Sequence, residues 1–501
     1  MAGMVDLESG IPTYLQNRSL IIVSNRGPVE YRVENGTLAA SRGSGGLVTA
    51  LTSLGRYLPF TWVASALSEG DVRAARESTP DSVRAAMSYG ELPIRFIVSS
   101  REAYQKYYNV ISNPFLWFLQ HYMVDMTYQM LDHTIYDAWE NGYVPVNEAF
   151  AGEVLKEAMS SPNPPVVMIQ DYQLYLVGGL VRDSLPQVVI QHFIHIPWPA
   201  PRYWALLPRH MRQSILESLC SCDIVGFQTR RDAENFVATC EDLLPEAVAD
   251  LNQLTVCFRE HKTRARHYPI SIDVTELRKM AASSNVKGYV DKILGNTSQK
   301  TIVRVDRMDP TKNILRGFRS YETLLTNYPE LRGKVTFLAF LVPSRTQLSL
   351  YQNYSKIVFD TVMRINAEFG DANWEPIRVF YEENQRQAIA GMSIADVLIV
   401  NPVIDGMNLV AKEGPIVNTR NGVLVLSETV GAFDQLKEGV IPVSPVDIQG
   451  TAEAMYQALE LDQGEKQRRI ELIRRNIEKE NIHFWLRRQL EDIEDTLTAT
   501  G

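Results

Sequence analysis

The chain has 501 residues, enough for two or three domains at roughly 100 to 200 residues each, which excludes a single small module. Hydrophobic residues make up 45% and charged residues 22%, with 29 Gly and 25 Pro, and this excludes disordered and fibrous classes. Lys plus Arg number 50 against Asp plus Glu 59, a formal charge of -9, so nothing draws the whole chain toward nucleic acid or an anionic membrane, and any anionic ligand must be captured by local cations.

Residues 1–18 read as a flexible leader in which Asp6 and Glu8 stand where a signal peptide would be basic and then apolar. No later run approaches the ~20 apolar residues that span a bilayer, so a cytoplasmic protein with no membrane or nucleic-acid partner is expected. Short β-branched runs then alternate with helical periodicity, the pattern of parallel sheets covered by helices. Strands are expected at SLIIVSN from Ser19, FTWVAS from Phe60, IRFIVSS from Ile94, PVVMIQ from Pro165, VVIQHFIHI from Val188, CDIVGF from Cys222 and YPISI from Tyr268. After a polar stretch near 274–299, where a hinge or interdomain helix is expected, the alternation resumes with TIVRV from Thr301, VTFLAFL from Val335, IRVFY from Ile377, ADVLIV from Ala395 and GVLVLS from Gly422. The reading is an α/β chain of two parallel-sheet domains, 19–280 and 281–475, followed by a helical segment 476–501. In the charged stretch after Gln463, Ile470, Ile473, Ile477, Ile482, Trp485 and Leu486 keep helical spacing, and its mixed charges read as a solvated face. Cys220, Cys222, Cys240 and Cys257 match neither a disulfide framework nor zinc spacing and read as reduced thiols.

Open α/β sheets bind ligands beyond the C-terminal ends of their strands, so the polar groups at those ends are the candidates. Arg26 follows the first strand, and Gly43, Gly45 and Gly46 open an apolar stretch, where a phosphate-approaching loop and a plain loop fit equally. Asp171 and His195 end two further strands, with Pro197 and Pro199 fixing the loop behind the histidine, and a shared cleft is expected. In RVDRMDPTKN, Arg307 and Lys312 lie just past a strand; an anion such as a diphosphate would hold them together, and solvated surface charges are the competing reading. Arg345 follows the next strand and suits a second anion. Asp405 with Gly406, Met407, Asn408 and Leu409 offers a carboxylate and backbone amides, and Glu413 could accept ribose hydroxyls.

The combination SNRGP, GGLVTAL, YYNVISNPFLW, DYQL, HIPWP, GFQT, RVDRMDPTKN and DGMNLVAKE resembles the retaining, GT-B-fold trehalose-6-phosphate synthases over nearly all of residues 19–490. The resemblance implies two Rossmann-like domains facing a central cleft, with a C-terminal helix crossing back to the first. It implies that Arg307 and Lys312 hold a donor diphosphate, Glu413 the ribose, Asp405 through Leu409 the donor glucose, that His195 contacts that sugar, and that Gly45 and Gly46 close over it. Arg26, Trp62, Tyr108, Trp117, Asp171 and Arg345 would form the acceptor site for glucose 6-phosphate. The implied reaction moves glucose from a nucleotide-glucose to glucose 6-phosphate with retention, with no metal or other cofactor, since Arg307 and Lys312 replace the usual divalent cation. Two departures, Gln173 in DYQL and Asn313 in PTKN, also resemble pseudo-glycosyltransferases, so another phosphorylated acceptor (glycerol 3-phosphate or an aminocyclitol phosphate) is the first alternative. A non-catalytic sugar-phosphate sensor is the second. The residues are silent on the donor base and on oligomeric state, a homo-oligomer included.

Overall fold

A computed structural model describes residues 18–42, 48, 51–52, 59–77, 83–87, 90–126, 132–295 and 299–500; the leader up to residue 17 and Gly43, Gly45 and Gly46 lie outside the described residues. The chain divides into two compact units, Met1–Pro269 with His483–Gly501, and Ile270–Ile482.

The first unit is built on a ten-stranded sheet. Its strands in chain order are β1 (Ser19–Ser24), the separate hairpin β2 (Val29–Glu34) and β3 (Thr37–Arg42), β4 (Phe60–Ser65), β5 (Val83–Met87), β6 (Gly90–Ile97), β7 (Pro165–Gln170), β8 (Val189–Phe193), β9 (Ile224–Phe227), β10 (Val248–Asp250), β11 (Thr255–Phe258) and β12 (His261–His267). The spatial order is β10-β11-β12-β9-β8-β7-β1-β4-β6-β5. The chain therefore builds outward from β1 to β4 and β6, then returns to β1's other side for β7, β8 and β9. The switch of direction lies between β1 and β7, the place where open α/β sheets leave a crevice. Register brings the exits level: Ser24 pairs with Ala64, Val23 with Ile169, Gln170 with Phe193, and Phe193 with Gly226. Asn25, Arg26, Asp171, His195 and Gln228 thus follow strands that end along one edge.

The second unit carries a six-stranded sheet of β13 (Lys300–Arg307), β14 (Val335–Val342), β15 (Ile377–Tyr381), β16 (Val397–Val400), β17 (Val423–Ser427) and β18 (Ile441–Val443), in the order β15-β14-β13-β16-β17-β18. All its pairings are parallel, and the switch point falls between β13 and β16. Phe318, Tyr321, Leu324 and Leu325 of the helix Ile314–Asn327 pack with Phe337, Ala339 and Leu341 of β14 and with Ala452, Met455 and Ala458 of the helix Ile448–Glu460 in one buried core. The polar stretch near 274–299 forms the helices Val274–Ala281 and Ser284–Leu294 of this unit, each N-capped by a side chain, Asp273 and Ser283.

Three features differ from the sequence reading. Tyr268–Ile272 is not a strand: the last ladder bond there runs from Tyr268 N–H to Phe227 O at 2.8 Å, and the neighbouring β9 ends at that residue. The charged segment HKTRARH is a strand, β12, because its arginines meet acceptors on the helix Ile482–Thr500. Arg264 donates to Asp492 O at 2.6 Å, and the Arg266 guanidinium lies 3.3 Å from the Asp492 carboxylate, which Tyr268 OH also reaches at 2.7 Å. The β2–β3 hairpin also went unread; the Asp71 carboxylate accepts from Tyr31 N at 2.8 Å and ties it to the sheet's flank.

The tail's apolar spacing is as expected: Ile470, Ile473, Ile477, Ile482, Trp485 and Leu486 are all buried, in two helices, Gln463–Lys479 and Ile482–Thr500. All four cysteines are free thiols. Among the described residues no helix is long and apolar enough to cross a membrane.

Candidate active site

In the first unit, residues that follow β1 and β7 are held against a helix with unusual winding. The helix Arg101–Gln105 continues as a π-helical stretch, Lys106–Leu116, with Pro114 inside it, and then as the helix Trp117–Gln120. A π-stretch of this length is rare and concentrates at functional sites. Here side chains sustain it: Ser112 Oγ donates to Tyr107 O at 2.8 Å and Asn113 Nδ2 to Tyr108 O at 3.0 Å, each reaching back five positions. Asn113 Oδ1 also accepts from Tyr172 OH at 2.7 Å, which ties the stretch to the residue after Asp171. Trp117 lies tilted against Tyr172, with ring centroids 5.8 Å apart, and Tyr108 stacks on Tyr104 at 5.4 Å. Tyr104 in turn accepts from Asn25 Nδ2 at 3.2 Å, beside Arg26. The structure therefore brings Arg26, Tyr108, Trp117 and Asp171 into one connected neighbourhood. Trp62 belongs to it indirectly: it is fully buried on β4, and its indole N–H donates to Ser24 Oγ at 2.8 Å, which donates to Arg26 O at 2.6 Å.

Asp171 adopts φ 74° and ψ 173°, a region that a residue with a side chain enters only at a cost of about 1–3 kcal/mol. Several bonds over-determine it. Its N–H donates to Phe193 O at 2.7 Å, its carbonyl accepts from His192 Nε2 at 3.0 Å, and its carboxylate accepts the His195 N–H at 3.1 Å. The His195 ring sits between two carboxamides, with Nε2 3.1 Å from Gln170 Oε1 and Nδ1 3.3 Å from Gln228 Nε2. An oxygen at Nε2 and an N–H at Nδ1 fit one neutral tautomer, protonated on Nε2. Burial, aided by His192, pushes the His195 pKa down to about 3, so this imidazole is neutral at physiological pH. Gln170 and Gln228 went unread as site residues; the GFQT motif held the only sequence signal for Gln228.

In the second unit the loops after β13, β14 and β16 carry the candidates. Lys312 Nζ and the Asp405 carboxylate are in direct contact, and Asn408 Nδ2 donates to the same carboxylate at 3.1 Å. The Asp405 loop is fixed to the next strand's exit through Gly431 N–H to Asp405 O at 3.0 Å and Ala432 N–H to Met407 O at 3.1 Å. Gly406 and Met407 are buried, and Asn408 takes φ 66°, which Asn tolerates better than most residues. Leu409 leads into the helix Val410–Val417 without side-chain capping, and Glu413 lies in its first turn. Burial pushes the Glu413 carboxyl up to about 7.

Arg345 belongs to this unit. Its guanidinium lies 3.3 Å from Asp309 Oδ2 and contacts Tyr351 OH, which donates to that same oxygen at 3.1 Å. Burial alone would raise the Asp309 pKa, but Arg345 and then Arg307 outweigh it, and Thr311 adds hydrogen bonds, holding the carboxyl at about 2. Asp309, missed as a site residue, thus gathers the positive charge that follows β13 and β14. Among the described residues no group of His, Cys, Asp and Glu could hold a metal ion.

Two α/β units, one on a mixed and one on a parallel sheet, each with charged side chains beyond its switch point, give the chain the GT-B fold. The chain belongs to glycosyltransferase family 20, whose model matches residues 18–495. It is 34% identical over 478 residues to a bifunctional trehalose-6-phosphate synthase/phosphatase of Thermoproteus tenax, covering 93% of this chain and 62% of that one, so it spans about three fifths of that relative's length. It is 30% identical over 483 residues to an alpha,alpha-trehalose-phosphate synthase [UDP-forming] of Schizosaccharomyces pombe, covering 94% and 89%. Two solved structures are similar across the whole fold. One, trehalose-6-phosphate from E. coli bound with UDP-2-fluoro glucose, has a TM-score of 0.82 at 26% identity and covers 95% of this chain and 99% of its own. The other, an alpha,alpha-trehalose-phosphate synthase (UDP-forming) of Burkholderia xenovorans in complex with glucose-6-phosphate, has a TM-score of 0.81 at 28% identity and covers 95% and 100%.

Proposed function

We propose that the chain transfers glucose from a nucleotide-glucose to glucose 6-phosphate with retention, releasing α,α-trehalose 6-phosphate and a nucleoside diphosphate. The observation that carries this reading is the meeting of Lys312 and Asp405 at the switch point of the second unit, with Asn408 on the same carboxylate. A cation suited to a diphosphate and a carboxylate suited to sugar hydroxyls there share one point. Arg307 and Lys312 hold the diphosphate, Glu413 the ribose, and Asp405 with the amides of Gly406 through Leu409 the glucose. His195, a neutral imidazole held on its ring nitrogens by Gln170 and Gln228, orders the Asp171 carboxylate through its backbone N–H. Arg26, Tyr108, Trp117 and Asp171 take the acceptor's phosphate and ring. The uridine nucleotide is the donor on the strength of the UDP-forming relatives, in a cytoplasmic protein.

Leaving-group departure builds charge on the bridging phosphate oxygen while the anomeric carbon becomes oxocarbenium-like. Cations fixed by the sheet stabilise that charge more in the transition state than in the ground state, and this difference is what accelerates transfer. No resident cofactor enters the proposal.

The test is nucleoside diphosphate release by the purified chain from UDP-, ADP- and GDP-glucose with each acceptor, with and without a chelator, and product identification by NMR. Release with glucose 6-phosphate and an α,α-linked product is expected. Release with glycerol 3-phosphate or an aminocyclitol phosphate instead would replace the acceptor assignment, and nucleotide binding without any release would favour a sensor.

A pH dependence follows from Glu413. With its pKa raised to about 7, the group is protonated below that pH and loses one of the acceptors a ribose needs. Donor KM is therefore expected to rise as pH falls from 8 to 6, and Glu413→Gln to flatten that rise. An identical pH profile in the variant would remove Glu413 from the donor site.

A further inference from the structure

We propose that Arg304 is a positioning residue of the donor site, a buried bracket that sets the spacing of the loops carrying Lys312 and Asp405; this rests on the donor reading given above. Arg304 lies on β13 with none of its surface exposed. Its guanidinium is bound on several sides. Nε and Nη2 donate to Asp306 Oδ2 at 3.1 and 2.8 Å, Nη2 to Lys312 O at 3.0 Å, Nη1 to Ile314 O at 3.3 Å, and Nη2 to Asn401 Oδ1 at 3.4 Å. The carbonyls it holds are those of Lys312 itself and of the second residue after it. Asn401 is the first residue after β16, on the loop that leads to Asp405.

A second element closes the bracket. Asn313 takes the left-handed conformation at φ 57°, and its Nδ2 donates to Asn401 O at 2.8 Å and to Pro445 O at 2.7 Å. The space is reserved as well: a Cβ on Gly317 would sit 2.3 Å from Arg304 Nη1. An apolar side chain could fill a strand position of this kind, and a buried charge is costly unless it is paired and hydrogen-bonded. What the fork adds, and an apolar residue cannot, is simultaneous hold on the Lys312 loop and the Asp405 loop. Misplacement of a binding group by about 1 Å can cost on the order of a hundredfold in rate, so spacing between these loops is a lever on donor use.

The test uses the full chain with Arg304→Lys and Asn313→Gly. Lysine keeps the charge and loses the fork; glycine accepts the left-handed backbone and loses both donated bonds and the one accepted from Arg316 at 3.0 Å. Binding of UDP by calorimetry, donor KM, acceptor KM, kcat and melting temperature are read for each. Arg304→Lys is expected to weaken UDP binding and raise donor KM at least tenfold, and Asn313→Gly to shift both several-fold in the same direction, with acceptor KM within twofold of the parent. A lowered melting temperature with unchanged UDP affinity and donor KM would make Arg304 a structural plug and overturn the proposal. If Arg304→Lys does not fold, unchanged UDP affinity in Asn313→Gly overturns it alone. A parent chain that binds no UDP removes the donor reading itself, and the bracket with it.

Discussion

Arg307→Ala lowers kcat/KM by about 10²- to 10³-fold, a barrier increase of about 2.7–4 kcal/mol, while the chain stays folded. The size follows from the place of the charge. Arg307 is the last residue of β13, paired with Val342 of β14, so the sheet fixes its backbone before any ligand arrives. Its side chain is partly exposed, and among its effects truncation weakens the field that keeps Asp309 ionised. Steady-state kinetics with circular dichroism decide the matter. Turnover within a few-fold of the parent in a folded variant would show that the diphosphate charge is carried elsewhere.

Arg345→Met is expected to act mainly on stability, by about 3–5 kcal/mol, because it strips the ion-pair partner from a fully buried carboxylate. Asp309 has no exposed surface and keeps its ionised form through Arg345 and Arg307. With Arg345 gone, its Oδ2 loses that guanidinium and keeps Tyr351 OH at 3.1 Å. Chemical denaturation measures the loss, and the double variant Arg345→Met with Asp309→Asn is expected to recover much of it, since the charge left behind is what destabilises. A single variant as stable as the parent would mean that the Asp309–Arg345 pair contributes nothing to the fold. A phosphate-binding role for Arg345 then requires the ligand to compete with Asp309 for the same guanidinium.

Strands buried on both faces were legible because parallel sheets leave near-continuous apolar runs, as in SLIIVS and VTFLAFLV. Strand exits were legible for the same reason, and with them Arg26, Asp171, His195, Arg307 and Asp405. What composition hid were elements whose polar groups are satisfied far away in sequence. β12 reads as a charged loop until Asp492 supplies its partner, and Arg304 reads as an interruption of TIVRV until Asn401 and Ile314 do. Gln228 and Asn113 fall in the same class: their meaning lies in the ring or hydroxyl they face, not in their neighbours along the chain.

The stretch Lys106–Leu116 has a further consequence in angular terms. Tyr108 and Trp117 are nine positions apart (117 - 108 = 9). At about 100° per residue an α-helix would turn through roughly 900° and set them on opposite sides. At roughly 80° per residue, the i→i+5 winding turns through about 720° and returns them to nearly the same side. A 3.6-residue reading therefore places these two aromatic residues on opposite sides, and the wider coil turns them toward one side. The stretch works as a phase shifter: its side-chain bonds from Ser112 and Asn113 hold a rotational offset between the helix before it and the helix after it. Shortening it by one residue would leave every local hydrophobic contact a candidate to re-form, yet swing the upstream tyrosines away from the downstream tryptophan.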